Sequence, residues 1–476
     1  MKGDFTRDSF SPSRGYTRVL AQQGRVQLDA DWNEQISILW DYWCSMVIDL
    51  VGPYAGPHGH CGFGILCPAD FSRTEPAELS EAERRELKER LKDGGDFLIG
   101  RGNYYVDGFL CRNEFPPFTY TSQPYLPDTP PVKANKGANL VYLDVWERHL
   151  TQIEDGRIGE VALEGADTTT RAKLVWQIRT LELSEKLRTC KALEENWEDL
   201  LYEFRSRHRA YLRAMAKMPD SEEAAEAALV GPQAQYRGTE NRLYRVEIHD
   251  AGSVGEQPTF KWSRNNGTVI FPIVQVDLTT APGKTIVTLG NPAKDSRADV
   301  APGDMVEMVD DAYVLQNRAE PLLPVESVDA GGTLVTLTGT PASTVGQDRS
   351  KHPLLRRWDQ KAGNPKKGGL ELRNGAALIR EGIGDAGWMT LEDGVQIQLV
   401  KTDPKSYFST GDYWLIPART ATGDIMWPKS KDKPDPLRPH GPEHHFAPLA
   451  IVEFNKDGQL KLVGDCRPRI RREISV

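Results

Sequence analysis

Histidine, cysteine and carboxylate residues gather at four places in this 476-residue chain, and each grouping implies a different chemistry. His58, His60, Cys61 and Cys67 bring imidazoles and thiols into a glycine-rich stretch, the ligand types of a structural zinc site. Their spacing matches no zinc finger, and adjacent His60 and Cys61 ligate one ion only awkwardly. They are weak metal candidates, and the expected reading is a loop beside a buried thiol, with no metal. His440-Gly441-Pro442-Glu443-His444-His445 has the composition of a metal hydrolase but lacks the helical His-Glu-x-x-His spacing, and Pro442 interrupts it. A surface or interface loop is expected there. Glu147-Arg148-His149, after an apolar run, supplies an acid and a base without an identifiable partner. Asp29-x-Asp31-x-Asn33 opens like a calcium loop, but Glu34 replaces the required glycine and Trp40 the bidentate glutamate. Asp31 with Glu34 reads instead as a capping box for a helix. The sequence has no nucleophile elbow, phosphate loop or dinucleotide fingerprint. No catalytic residue is assigned, no cofactor is expected, and the chain reads as a non-enzyme.

The elements around these groups are mostly strands. Behind Asp31, the residues Trp32, Ile36, Leu39, Trp40, Trp43, Val47, Leu50 and Val51 recur at helical spacing until Gly52-Pro53. This tryptophan-rich segment predicts a buried or docking helix, preceded by a short extended piece at 26–28. Residues 80–92 predict a charged surface helix. Asp107-Gly108, Asn266-Gly267, Gly331-Gly332 and Asp457-Gly458 lie between apolar runs and predict hairpins. From Leu183 through Trp197, Leu201, Phe204, Tyr211 and Met215, apolar residues recur every three or four positions, which predicts an amphipathic helix of roughly 50 Å, with a shorter one at 222–229. Short, evenly spaced strands over 274–345 suit an SH3-like or OB-like barrel. A Lys/Pro/Asp loop at 429–442 reads as too polar to pack.

The expected fold class is therefore mainly β with helical insertions: an α+β, multidomain chain of short-strand sandwich and small-barrel units. The expected divisions are 1–95 (arm, tryptophan-rich helix, surface helix), 96–273 (β domain with a helical insertion at 183–230), 274–345 (small barrel) and 346–476 (C-terminal β region).

A net charge of −9 removes the electrostatic footprint that nucleic-acid or anionic-membrane binding needs. The charged opening reads as no signal peptide, and no run of about 18 apolar residues predicts a membrane span. Six cysteines scattered over the chain predict reduced thiols in a protein made in the cytoplasm.

Lys2-Gly3-Asp4-Phe5-Thr6-Arg7-Asp8, the run Gln22 to Gln35, Tyr104-Tyr105-Val106-Asp107-Gly108, Phe260-Lys261-Trp262-Ser263-Arg264 and Gly411-Asp412-Tyr413-Trp414 follow one another in order. In these blocks the chain resembles, along most of its length, a family encoded in gene clusters for phage-tail-like contractile injection systems. The resemblance brings no catalytic residues with it. It implies a structural or adaptor protein at the baseplate or outer tail, assembled in the cytoplasm and released within a particle. Its implied partners are other tail and baseplate proteins and further copies of itself, without nucleic acid or membrane insertion. The interaction residues expected are Asp4, Phe5, Arg7 and Asp8 of an arm threading onto a neighbour, Trp32, Trp40 and Trp43 of the first helix, and Trp197, Phe204 and Tyr211 of the long one. The alternative is a tailspike-like surface protein that binds or cleaves glycans, with Trp388 or Trp414 stacking on sugar rings.

Overall fold

The computed structural model describes residues 1–476 except 71–80, 82–84, 86–88, 127–128, 135–136, 164–165, 206–208, 218–234, 292–298, 381–386, 402–405 and 471–476. The predicted helix at 222–229 lies outside the described residues, and the one at 80–92 lies only partly within them.

The chain is mainly β, with one long helix and several short ones among the described residues, and its strands form three nested units. The outer unit packs two four-stranded sheets. One runs Arg469–Ile470, Tyr54–Pro57, Gly102–Val106, Phe109–Asn113, and the other Arg171–Glu182, Ala138–Leu150, His444–Phe454, Leu460–Asp465. Ala138–Leu150 and His444–Phe454 are covered on both faces, so they read as near-continuous apolar runs. Their antiparallel register sets His444 opposite Trp146 and His445 opposite Val145. Inside the outer unit's chain path lies a second unit. Its six-stranded sheet is centred on Thr259–Ser263, Arg242–Ile248 and Tyr413–Arg419, and it shares a core with the sheet of Tyr211–Ala216, Val395–Val400 and Met389–Thr390. Within that unit's path, six strands from Ile270–Asp277 to Leu354–Trp358 close into a barrel with its own core.

This nesting corrects the linear divisions. The barrel closes through Leu354–Trp358, beyond residue 345, where that strand pairs with Ile270–Asp277 and Met305–Val309; Arg356 and Arg357 hide it in the sequence, although it is buried along its whole length. The expected C-terminal region is not a unit, since Tyr413–Arg419 completes the second sheet and His444–Phe454 the outer one. Residues 1–95 are not separate either, because Tyr54–Pro57 pairs with Gly102–Val106 and with Arg469–Ile470. Nor do the strands flanking 183–230 share a sheet.

Three predicted hairpins form, at Asp107-Gly108, Gly331-Gly332 and Asp457-Gly458. Asp107 and Gly108 both take positive φ, as the tight two-residue turn requires. Asn266-Gly267 also turns with positive φ, but the strands on either side do not pair, and the turn carries the chain from the second sheet into the barrel. The 429–442 loop is less free than expected. Lys429–Ser430 pairs with Lys433–Pro434, and the Leu437 carbonyl accepts the Trp414 indole N–H at 2.9 Å.

The long amphipathic helix does not form. Its sequence breaks into a single 3-10 turn, α-helices at Cys190–Glu195 and Trp197–Phe204, and then the strand Tyr211–Ala216. Leu193, Trp197 and Leu201 are buried in the outer unit's core, so the apolar stripe packs on its own sheet and not on a neighbour. The thiol expectation also changes. Cys190 and Cys466 form a disulfide, brought together by the helix packing beside the last long strand, whereas Cys44, Cys61, Cys67 and Cys111 are free.

Trp197, 3 % exposed, is thus a core residue. Trp197→Ala should cost roughly 3–5 kcal/mol, read as a lower urea midpoint at unchanged m-value.

Candidate interaction site

Where the three units meet, a cleft of about 360 Å³ is lined by Glu147, Arg148 and His149 from one strand and by His440, Glu443, His444 and His445 from the chain leading into its neighbour. Two groupings that are distant in sequence therefore share one wall. Three of these histidines have a structural partner, whereas the buried His149 Nε2 has no hydrogen-bond partner among the described residues. His444 Nδ1 lies 2.6 Å from Asp144, His445 Nδ1 lies 2.9 Å from Asp107, and the His440 ring stacks on Tyr413. Burial, with the charge of Arg356 nearby, pushes the His149 imidazole down to about 3. Glu147 sits at the exposed rim; loss of solvent on its cleft side, opposed by His445 and reinforced by Glu443, holds its carboxyl above the usual range.

The cleft floor is an ionic clamp between the second sheet and the barrel. Glu307, on barrel strand Met305–Val309, accepts from Lys261 Nζ at 2.5 Å, from the Trp358 indole N–H at 2.8 Å and from the Tyr313 hydroxyl. Lys261 also lies 3.5 Å from Glu247, which pairs with Arg245 at 2.6 Å and with Lys2 at 3.0 Å. Burial opposes the Glu307 charge, but Lys261 and its neighbours prevail and hold the carboxyl down at about 2. Glu247 is held well below its usual range in the same way by Lys2, Arg245 and Lys261.

The amino-terminal arm, expected to thread onto a neighbour, closes over this clamp on its own chain. The Asn266 side-chain amide donates to the Met1 and Gly3 carbonyls, at 3.1 and 2.8 Å, and Arg245 donates to Met1 at 3.1 Å. Phe5 meets His149 edge-on, whereas Asp4 and Asp8 are exposed and Arg7 is half-buried. Thr6 then donates its backbone N–H to Asp29 at 2.8 Å, Ser9 donates to Glu34 at 2.7 Å, and the Val19 N–H donates to the Gln35 side chain at 2.8 Å.

Those three bonds anchor helix α1, Asp29–Val51. The helix starts two residues before the expected cap. Leu28 is its N-cap and has no side-chain acceptor to cap with, and the expected capping box is not made, because Glu34 bonds to Ser9 of the arm. Residues 26–28 form no strand and are exposed. Ala30, Ile38 and Val47 are buried, Trp40 packs edge-on against Phe109, and Gly108 sits where any Cβ would strike Cys44. The other side of α1 faces solvent, with Trp32 70 % and Trp43 48 % exposed.

The remaining sequence candidates scatter. Cys67 is buried, Cys61 is half-buried with its carbonyl and thiol against Arg467, and no group of metal ligands forms among the described residues. Trp414 is fully buried, so it offers no face to a sugar, and Trp388 is half-buried. Trp197 lies in the core, Phe204 stacks on Tyr142, and Tyr211 receives the Arg438 guanidinium on its hydroxyl at 2.9 Å.

Residues 1–210 and 195–461 match the model of a family of unknown function, DUF6519. The chain belongs to this family. No curated protein and no solved structure matches it. Sequence reasoning on this DUF6519 chain missed the clamp, since Lys261 and Glu307 sit singly in apolar strands and Glu247 shares its strand with Arg245, while the partners that join the three strands are far apart in sequence. The available signal was a charged residue within each buried run, which requires a partner.

Two outcomes follow for the DUF6519 chain. Lys261→Met leaves Glu307 and Glu247 facing each other in the interior and should cost roughly 3–5 kcal/mol in denaturant melts. His149 is neutral when folded but charges when unfolded, so its contribution is fully present above pH 6.5 and is lost as the pH falls toward about 3. The unfolding midpoint of the unaltered chain, taken relative to His149→Gln, should therefore drop between pH 7 and pH 4.

Proposed function

We propose that this chain is a structural or adaptor component of a phage-tail-like contractile injection particle, attached at the baseplate or outer tail and holding neighbouring subunits. The observation that carries the docking part is α1, a helix of 23 residues anchored on one side and exposing a continuous apolar face on the other. A face of that size is what interaction surfaces, and not free monomers, display. The extended segment before it adds Tyr16, Leu20 and Val26, all exposed. The resemblance along the chain supplies the particle. Three of the four cleft histidines, His444, His445 and His440, are held by Asp144, Asp107 and Tyr413, which suits a positioning role better than turnover. No helix among the described residues is long and apolar enough to cross a membrane. The partners in this reading are other tail and baseplate proteins and further copies of the chain, with assembly in the cytoplasm before release.

Trp32→Ser with Trp43→Ser tests it. Both side chains are exposed, so the unfolding free energy of the purified variant from urea melts should stay within about 1 kcal/mol of the parent. Its amount in purified particles should fall at least about tenfold, as loss of hot-spot tryptophans does. Incorporation at the parental level would overturn the proposal.

A further inference from the structure

The exposed face of α1 has a period of its own. Trp32, Ile36, Leu39, Trp43, Met46 and Leu50 are spaced 4, 3, 4, 3 and 4 residues apart, and every one of them is exposed. That is a heptad seam, with Ile36, Trp43 and Leu50 at one core position and Trp32, Leu39 and Met46 at the other. The buried residues Ala30, Ile38 and Val47 are absent from it. The chain's own fold therefore occupies one side of α1 and leaves the seam free.

We propose that α1 forms a coiled coil with α1 of a second copy of this chain, through these six residues. The inference rests on the docking reading and names the occupant. The period argues for it first. A strict alternation of three and four keeps its stripe facing a partner only when that partner is also a helix wrapping around it, knobs into holes. Length argues next. The other helices whose ends are described run from five to eight residues, against 23 for α1, so a second α1 is the matching partner the molecule itself offers. Area is the third argument. The six seam side chains are 48–79 % exposed and Trp40 and Tyr42 flank them, a contiguous apolar face of the size class from which a standard interface, about 800 Å² on each partner, is made. Its anchorage matters too, because Thr6, Ser9 and Phe109 fix the helix before a partner arrives and so reduce the ordering cost of association.

Sedimentation equilibrium of the full chain at micromolar concentration decides the matter. The unaltered chain should sediment as a dimer or a small closed oligomer. Leu39→Glu with Trp43→Glu should sediment as a monomer with unchanged far-ultraviolet dichroism, and the charge-neutral Leu39→Ala with Trp43→Ala should raise the dissociation constant at least about tenfold. Val161→Glu, at an exposed apolar site elsewhere, should leave the oligomer intact. A monomeric parent, or an oligomer indifferent to both seam variants, would overturn the inference. A monomeric parent whose incorporation into particles still requires Trp32 and Trp43 would refute the second copy alone. An oligomer that depends on the seam but never enters a particle would refute the particle reading alone.

Discussion

Glu307 is a carboxylate with its side chain 1 % exposed, and the arrangement of the whole molecule follows from satisfying it. A buried charge of this kind persists only with a counter-charge and hydrogen bonds on its remaining lone pairs. Lys261 comes from the second sheet, while Trp358 and Tyr313 come from the barrel and its adjoining helix. The barrel and the sheet that surrounds it in sequence are thereby fixed in one orientation. Lys261 also reaches Glu247, and Glu247 in turn recruits Arg245 and Lys2. The arm is thus drawn into the clamp by charge, and its backbone is held by Asn266 at the turn between the two units.

The same chain of contacts continues to α1. Arg419 holds the Thr6 carbonyl at 2.7 Å, and Thr6 holds Asp29 in the first turn of the helix. Electrostatics at the cleft floor therefore sets the direction in which an apolar helix leaves the body. Exposed apolar surface forgoes about 25 cal/mol for each Å² left in water, so the seam of α1 stores a driving force that only a partner releases. Three cleft histidines belong to the same logic, since His440, His444 and His445 are each held by an acid or ring of another segment.

Much of the β architecture was legible in the sequence, because alternation and Asp-Gly or Gly-Gly turns are local signals. The barrel and three hairpins follow from them. The nesting was not legible, because it depends on pairings such as His444 with Trp146, about 300 residues apart, that no local pattern encodes. For the same reason the disulfide between Cys190 and Cys466, separated by 276 residues, stayed hidden. The long helix was misread because the helical stripe of Leu193, Trp197 and Leu201 runs on into Tyr211–Ala216. There the buried positions are Leu212, Ala214 and Ala216, and alanine conceals a two-residue period. The tryptophans of α1 were readable as a docking helix, but its start was not, since Asp29 and Glu34 bond to the arm instead of capping the helix.

The central claim is that α1 is an assembly surface, and radical footprinting of tryptophan measures it directly. The full chain would be labelled free at high dilution and again within assembled particles, and oxidation would be read at Trp32 and Trp43 against Met426, which is exposed far from the helix in sequence. The account predicts that Trp32 and Trp43 label readily in the dilute chain and become strongly protected on assembly, while Met426 changes little. Equal labelling of Trp32 and Trp43 in both states would contradict it.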